Sequence, residues 1–318
     1  MSANTASTMN AARRAQADEF YTRREEIEAE MVHYRERFRG ARVLLNADDP
    51  LHSQFWWYFA DNFDDLGLER LTATYRRDDE PVYITTKDDD GVRMERAGGN
   101  GDFRSPEVVD LLDEHDLVVT NPPFSLFREH ITQLLDRGKD FVVLGNLNAM
   151  KYREVFPAIA SGRVGWGPSI RSGDRPFRVP ADYPLAATGC WEDEDGTRWV
   201  RVKGVRWFTT LDHPGRHEPV PMTRRYSPEE YPAFDHFPAI EVSRVADIPS
   251  DYDGLMAVPI TYLGRHDPEQ FEIVDLLNRY AVLDSQGTNE SVRAARSHSC
   301  NLGGKAVFSR LVIRRVRR

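Results

Sequence analysis

The chain has 318 residues, 40% of them hydrophobic and 29% charged, enough for one large domain or two modest ones with a true core. A formal net charge of −9 argues mildly against a polyanion partner for the surface as a whole, although nucleic-acid affinity is set by local patches and not by the sum. Two cysteines, Cys190 and Cys300, exclude a disulfide framework or a CxxC metal site and point to a reducing cytoplasm, and no apolar run approaches the length of a bilayer span.

In chain order, residues 1–16 lack the apolar stretch of a secretory signal and read as a disordered tail. Ile27, Met31, Tyr34 and Phe38 recur at helical spacing within 17–38, and Gly40 closes that helix. "ARVLLNADDP" predicts a buried strand ending in acids. Residues 52–67 predict a helix whose Phe55, Trp56, Phe59 and Phe63 are core. Strands follow at 70–75 and, at a sheet edge, 81–86. Ser105 before Pro106 caps a helix over 105–115. "DLVVT" predicts a strand, 126–138 a helix and 140–146 a strand. Strands that are apolar runs, alternating with helices, predict a doubly wound parallel sheet covered on both faces, with ligands beyond the carboxyl ends of its strands. Asp48, Asp49 and Asn121 lie at such ends. Beyond about residue 150 the pattern degrades. "KGVRWFTTLD" is one more strand, and the last third reads as a mixed, loop-rich module.

The most informative stretch is "NPPF", Asn121 to Phe124, between a strand and a helix. Pro122 forces Asn121 into extended backbone, and the two prolines fix their own φ and donate no hydrogen bond. Such a turn holds the Asn121 side-chain oxygen and the Pro122 carbonyl outward as acceptors for the two hydrogens of a planar exocyclic amine. Drawing those hydrogens out of the ring plane makes the nitrogen a better nucleophile without a charged base. Phe124 offers a flat face on which a base can stack. The plainer reading is a proline-terminated strand followed by a core phenylalanine.

With its surroundings this tetrapeptide resembles the EcoRI-type adenine-specific DNA methyltransferase family. "DEFYT", "NADDP", "LGLERLTATY", "GDFRS", "VVTNPPFSLFREH", "GNLNA", "VRWFTTLDH", "YDGLMAVPITYL" and "PEQFEI" carry the resemblance, from about residue 17 to 318. It implies transfer of a methyl group from S-adenosyl-L-methionine to N6 of an adenine flipped out of duplex DNA. It further implies a catalytic set Asn121, Pro122, Pro123 and Phe124. Cofactor contacts would come from Phe20, Tyr21, Thr22, Asn46, Asn121, one of Asp48 or Asp49 on the methionine ammonium, and Asp102 with Phe103 on the adenine. Trp207 and Phe208 fall where such enzymes support the flipped base, one expected to face the core and the other the cleft. Two departures stand out: the "LLNADDP" loop has no glycine, and the end of the second strand has no acid to hold ribose hydroxyls.

The expected architecture is therefore a Rossmann-like methyltransferase domain over 17–215 and a C-terminal module over 216–318 that reads DNA. Arg224, Arg225, Tyr226 and Arg314 to Arg318, including Arg315, are its candidate phosphate contacts. Solvated surface is the bland alternative for these cations, and turn or cap roles are the alternative for Asp48, Asp49 and Asp102. His213 with His217, and His298 with Cys300, have the wrong spacing or number for a metal, so none is expected. Other acceptors for the same chemistry are an RNA base amine or a glutamine amide, and a DNA-binding protein without catalysis is a further reading. The expected setting is cytoplasmic; the sequence is compatible with a monomer but does not fix the oligomeric state, nor whether a restriction endonuclease is the functional counterpart.

Overall fold

The computed structural model describes residues 20–76, 81–181, 183, 185–186, 189–277 and 301–316. The predicted tail at 1–16, residues 284–293, His298, Cys300, Arg317 and Arg318 lie outside the described residues. Contacts divide the chain into two compact units. One is the chain up to Ala149 with Trp166–Asp212, the other Met150–Gly165 with the chain from His213 onward.

The first unit is built on an eight-stranded mixed sheet. Its strands are β1 (Arg42–Leu45), β2 (Arg70–Ala73), β3 (Tyr83–Asp88), β4 (Gly91–Arg96), β5 (Leu117–Thr120), β6 (Asp140–Asn146), β7 (Gly165–Trp166) and β11 (Val205–Thr209). Their spatial order is β4-β3-β2-β1-β5-β6-β11-β7. The strands β2, β1, β5 and β6 run parallel, while β3, β4 and β11 are antiparallel to their neighbours. The expected all-parallel sheet is thus parallel only at its centre. The strand at 81–86 is not the edge either: Asp89-Asp90 turns the chain into β4, whose solvent-facing "VRME" run hides it from a search for apolar strands.

Helices form where the sequence supplies a cap and an apolar stripe. Ser53 caps α3 (Gln54–Asp61) by accepting from Phe55 N at 3.1 Å, and Ser105 caps α5 (Pro106–Glu114). The predicted helix over 17–38 is shorter and broken. α1 (Arg24–Met31) tightens into a 3₁₀ turn at Val32–Tyr34 before α2 (Arg35–Phe38). Tyr34 leaves helical angles there while its hydroxyl donates to buried Glu30 at 2.7 Å. Glu30 also accepts from Ser169 N at 2.9 Å, and a Cβ on Gly167 would meet its carboxylate at 1.8 Å, so that position must be glycine. α4 (Phe63–Leu66) ends on left-handed Gly67, and α6 (Phe127–Asp136) buries Phe127, Ile131 and Leu134.

A second, three-stranded sheet was not anticipated: β8 (Asp174–Arg178), β9 (Cys190–Glu192) and β10 (Arg198–Lys203), in the order β8-β10-β9. Phe177, Val200 and Val202 on one of its faces join a large aromatic core containing Phe20, Phe55, Phe59 and Trp207.

The second unit is more regular than its sequence implies. A five-stranded sheet runs β12 (Ala233–Phe234), β13 (Phe237–Glu241), β14 (Leu255–Pro259), β18 (Arg310–Arg315), β15 (Phe271–Leu277). Buried Glu241 pairs with Arg310 at 2.7 Å, and α7 (Phe156–Ala160) belongs to the same unit. A small hairpin, β16 (Asn301–Leu302) and β17 (Lys305–Ala306), turns at Gly303-Gly304, whose N–H groups donate to the Asp235 carboxylate.

Candidate active site

In the central sheet the chain moves from β1 to β2 on one side and returns to β5 on the other, so the carboxyl ends of β1 and β5 lie side by side. Loops diverge from such a point and leave a crevice. Asn46 to Asp49 follow β1 and Asn121 to Phe124 follow β5; Asn46 to Asp49 line one pocket together with Asn121 and Pro123, while Pro122 and Phe124 stand behind its wall. Phe20, Tyr21, Thr22, Asp102 and Phe103 line it too. Four separated stretches of sequence, all singled out as cofactor candidates, therefore meet in one place.

The loop after β1 needs no glycine because it keeps ladder bonds: Thr74 N donates to Leu45 O, and Asp48 N to Thr74 O. Its two acids have different jobs. The Asp49 carboxylate accepts from Leu51 N and faces His52 Nδ1 at 2.9 Å, as a turn former does. Asp48 is buried and accepts from the hydroxyls of Ser53 at 2.6 Å and Thr120 at 2.5 Å. Burial pushes the Asp48 carboxyl up to about 6, against the pull of those two hydroxyls. An ammonium group brought to it would ionise it fully. Asn46 orients by accepting from His130 Nε2 at 2.9 Å, and burial drives that imidazole down to about 3, so it is neutral. The other half of the amide, Asn46 Nδ2, is buried without a partner.

Asn121 is gripped from the other side. Its Nδ2 donates to the carbonyl of Phe20 at 2.5 Å and to the Thr22 hydroxyl at 3.2 Å. The flanking Tyr21 N donates to Arg178 O at 2.9 Å, pinning the segment to β8. The amide cannot turn over without losing two bonds, and its Oδ1 is left buried with no partner. An acceptor without a donor, at the mouth of a rigid Pro122-Pro123 turn, is what an amine-positioning role requires. Leu126 N closes that turn on Pro123 O and leads into α6.

Phe124 departs from expectation. Its ring is 4% exposed and packs edge-on against Phe20 at 5.3 Å and Phe177 at 6.2 Å, so it backs the pocket wall and presents no open face. Trp207 and Phe208 point to opposite faces of β11, as neighbours in a strand must, but both are 0% exposed and neither lines the pocket. Covering elements lie on both faces of the sheet, so neither residue reaches a cleft. Trp207 meets Phe55, while Phe208 meets Phe127 and Trp166.

At the pocket's far end Gly101 has φ +70°, and a Cβ there would come within 2.0 Å of Tyr75 O. Only glycine brings Tyr75 and Asp102 together. The Asp102 carboxylate accepts from Arg104 Nε at 2.8 Å, Nη2 at 2.7 Å and N at 2.9 Å, with Arg76 at 3.6 Å. The Arg104 guanidinium holds its carboxyl below the usual range. Phe103 stands edge-on to His130 at 5.0 Å. Ser53, Thr120, Arg104 and His130 were not singled out in the sequence. Thr120 and Ser53 adjoin motif residues but carry no signal by themselves, and Arg104 was legible only as part of "GDFRS".

The basic candidates lie in the second unit. Arg224 and Arg225 are exposed, with Arg224 3.8 Å from Asp247. Arg314 pairs with Glu272 at 2.5 Å. Arg315 is half-buried and donates to Pro249 O at 3.1 Å, which commits it to holding the fold.

The buried orphan Nδ2 of Asn46 and the buried carboxylate of Asp48 form a donor and acceptor pair that fits an amino-acid-bearing cofactor, and the orphan Oδ1 of Asn121 is left over for a second ligand. Comparison with known proteins adds a second line. The family described as "Adenine-specific methyltransferase EcoRI" matches residues 8–316. The chain is 39% identical over 286 residues to the Type II methyltransferase M.EcoRI of Escherichia coli, covering 84% of this chain and 88% of that protein. It is 37% identical over 310 residues to the Type II methyltransferase M.MpnI of Mycoplasma pneumoniae, covering 96% and 97%. No solved structure matches the chain.

Proposed function

The chain belongs to the EcoRI family of adenine-specific methyltransferases, and on that premise we propose how its own residues perform the reaction. It is a DNA adenine methyltransferase, and the proposed product is N6-methyladenine in duplex DNA. When bound, S-adenosyl-L-methionine supplies an electrophilic methyl on sulfur. Asp48 would hold the ammonium of that cofactor, Asn46 Nδ2 would donate to its carboxylate, and Asp102 would accept from its adenine amine beside Phe103.

The observation that carries the mechanism is the frozen amide of Asn121. With Nδ2 tied to Phe20 O and Thr22, Oδ1 is the only face it can show to substrate. Oδ1 and the Pro122 carbonyl accept hydrogen bonds from the two hydrogens of the target amine and orient its lone pair toward the methyl; the N6–methyl bond would form as the methyl–sulfur bond breaks with its electron pair left on sulfur, and the surplus N6 proton would pass to water. No charged base is needed, and positioning and electrostatics supply the acceleration. Phe124 and Phe20 keep the wall behind the turn dry.

The central order β2-β1-β5-β6, with its crevice between β1 and β5, supports a doubly wound Rossmann-like reading of residues 17–215. Residues 216–318 are proposed to read the DNA sequence, with Arg224 and Arg225 as phosphate contacts. The proposed setting is the cytoplasm, with a restriction endonuclease as a functional counterpart. Among the described residues no helix is long and apolar enough to cross a membrane.

The test uses purified protein, labelled S-adenosyl-L-methionine and unmethylated duplex DNA, with base-resolved detection of N6-methyladenine. Methylation in one short context, lost in Asn121→Ala, supports the proposal. Transfer to RNA or to a protein amide without transfer to DNA overturns it.

A further inference from the structure

The three-stranded sheet β8-β10-β9 has two unlike faces. Phe177, Val200 and Val202 turn inward, and Phe177 meets the rings of Phe20 and Phe124 behind the active site. The register pairs Trp199 with Arg178 on one side and with Trp191 on the other. Directly paired residues share a face, so Arg178, Trp199 and Trp191 form a row across the outward side. The two indoles lie nearly parallel, 14° apart with centroids at 6.2 Å, and the Arg201 guanidinium sits 5.6 Å from the Trp191 ring. Neither indole is fully covered, and Trp199 is held in place by its Nε1 donating to Asp193 at 2.7 Å.

This row ends in a second cleft, lined by Trp199 and Arg178 with Trp57, Tyr21, Thr22 and His52. The last three also line the active-site pocket, so the two cavities share a wall. Trp57 is the exception on its helix: Phe55, Trp56, Tyr58 and Phe59 are buried, while Trp57 is 44% exposed beside the cleft. Arg24 answers Glu28 and Asp61, but the exposed Arg178 has no acidic partner among the described residues. Flat aromatic faces left in water beside an unpaired guanidinium suit a base and its phosphate, because every base has a stacking face and every phosphate a charge.

We infer that this cleft receives the unstacked nucleotide adjoining the target adenine on the same strand. Its base lies on Trp57 and Trp199 and its phosphate at Arg178, with Trp191 and Arg201 extending the track. The adenine itself must reach Asn121, which lines the first pocket and not the second, so the shared wall separates the two neighbouring nucleotides. This rests on the reading of the protein as a DNA adenine methyltransferase.

The experiment measures binding of the full chain to a duplex carrying its mapped methylation site, by fluorescence anisotropy over a range of salt. Calorimetric titration with S-adenosyl-L-methionine is run beside it. Trp57→Ala and Trp199→Leu should each weaken duplex binding about 5- to 150-fold, the worth of one stacked base, with cofactor affinity within twofold of wild type. Arg178→Ala should lower the salt slope by about 0.9, one phosphate contact. Should an indole variant fail to fold, Trp57→Phe, which keeps a stacking face and should retain most of the affinity, and the exposed Arg178→Ala carry the test. Unchanged duplex affinity and salt slope in a panel whose wild type methylates DNA would overturn the inference alone. A wild type that does not methylate DNA would overturn the reading beneath it.

Discussion

Asn121→Asp is the sharpest perturbation of the site, because it keeps the acceptor Oδ1 and changes only the gripped half of the amide. In wild type Nδ2 donates to Phe20 O at 2.5 Å and to Thr22 Oγ1 at 3.2 Å. A carboxylate oxygen in that place cannot donate to the Phe20 carbonyl and faces that oxygen at contact distance, while the Thr22 hydroxyl can turn and donate to it. One lost hydrogen bond at about 1 kcal/mol, plus about 1–3 kcal/mol for leaving the Phe20 carbonyl unsatisfied against a carboxylate, gives about 2–4 kcal/mol. At about 1.4 kcal/mol per tenfold, the single-turnover rate should fall roughly 30- to 700-fold. The unfavourable surroundings raise the folded-state pKa of the new carboxyl above its unfolded value. The penalty is therefore absent below the unfolded pKa and grows as pH rises toward the folded one. Urea unfolding and single-turnover methylation at pH 5.5 and pH 8 measure both effects, with the deficit relative to wild type larger at pH 8. A variant within about threefold of wild type, with the same deficit at both pH values, refutes the idea that the Phe20 carbonyl organises the amide.

Asp48, held up at about 6 by burial, opposes folding of the free protein once ionised, so its contribution to stability declines as pH rises from about 4 through 6. Asp48→Asn should consequently raise the urea midpoint at pH 7.5 while weakening cofactor binding at least tenfold by calorimetry, and wild-type cofactor affinity should rise as pH increases through 6. Gly101→Ala combines a strained positive φ with a backbone clash against Tyr75 O, and should cost about 2 kcal/mol or more in urea unfolding and lower cofactor affinity. Gly167→Ala drives a methyl into the Glu30 carboxylate and should lower the melting temperature by several degrees. His130→Leu removes the acceptor's partner and lets Asn46 rotate, so cofactor affinity should drop about 5- to 10-fold with the fold retained by circular dichroism.

The parts of the site that rest on backbone logic were readable in advance. Asn121 to Phe124 announce a rigid turn because two prolines dictate it, and apolar runs at 43–45, 117–119 and 141–144 announce central strands whose ends must adjoin. What failed to show had no local signature. β4 is a strand because it pairs with β3 across Asp89-Asp90, not because its own "VRME" is apolar. The burial of Phe124 depends on Phe177, which arrives from a sheet with weak alternation interrupted by Pro176. Trp207 and Phe208 alternate as expected, but alternation says nothing about whether the second face is covered as well. The division of labour between Asp48 and Asp49 is set by Thr120, contributed from another strand.

The clasp of residues 20–22 has a consequence in time. Asn121 is restrained by a carbonyl 101 positions before it, and that segment is itself pinned by Arg178, later in the chain than the reactive amide. A nascent chain that has just exposed "NPPF" from the ribosome therefore has the motif but not the clasp. The amide becomes oriented only after β8 has been made and has folded back onto the start of the domain. No fragment ending before that strand should methylate, and a protease cut just after Thr22 should silence the enzyme while leaving its central sheet whole. Residues 20–22, near the start of the chain, thus act last, as the latch on a site assembled from strands and loops translated after them.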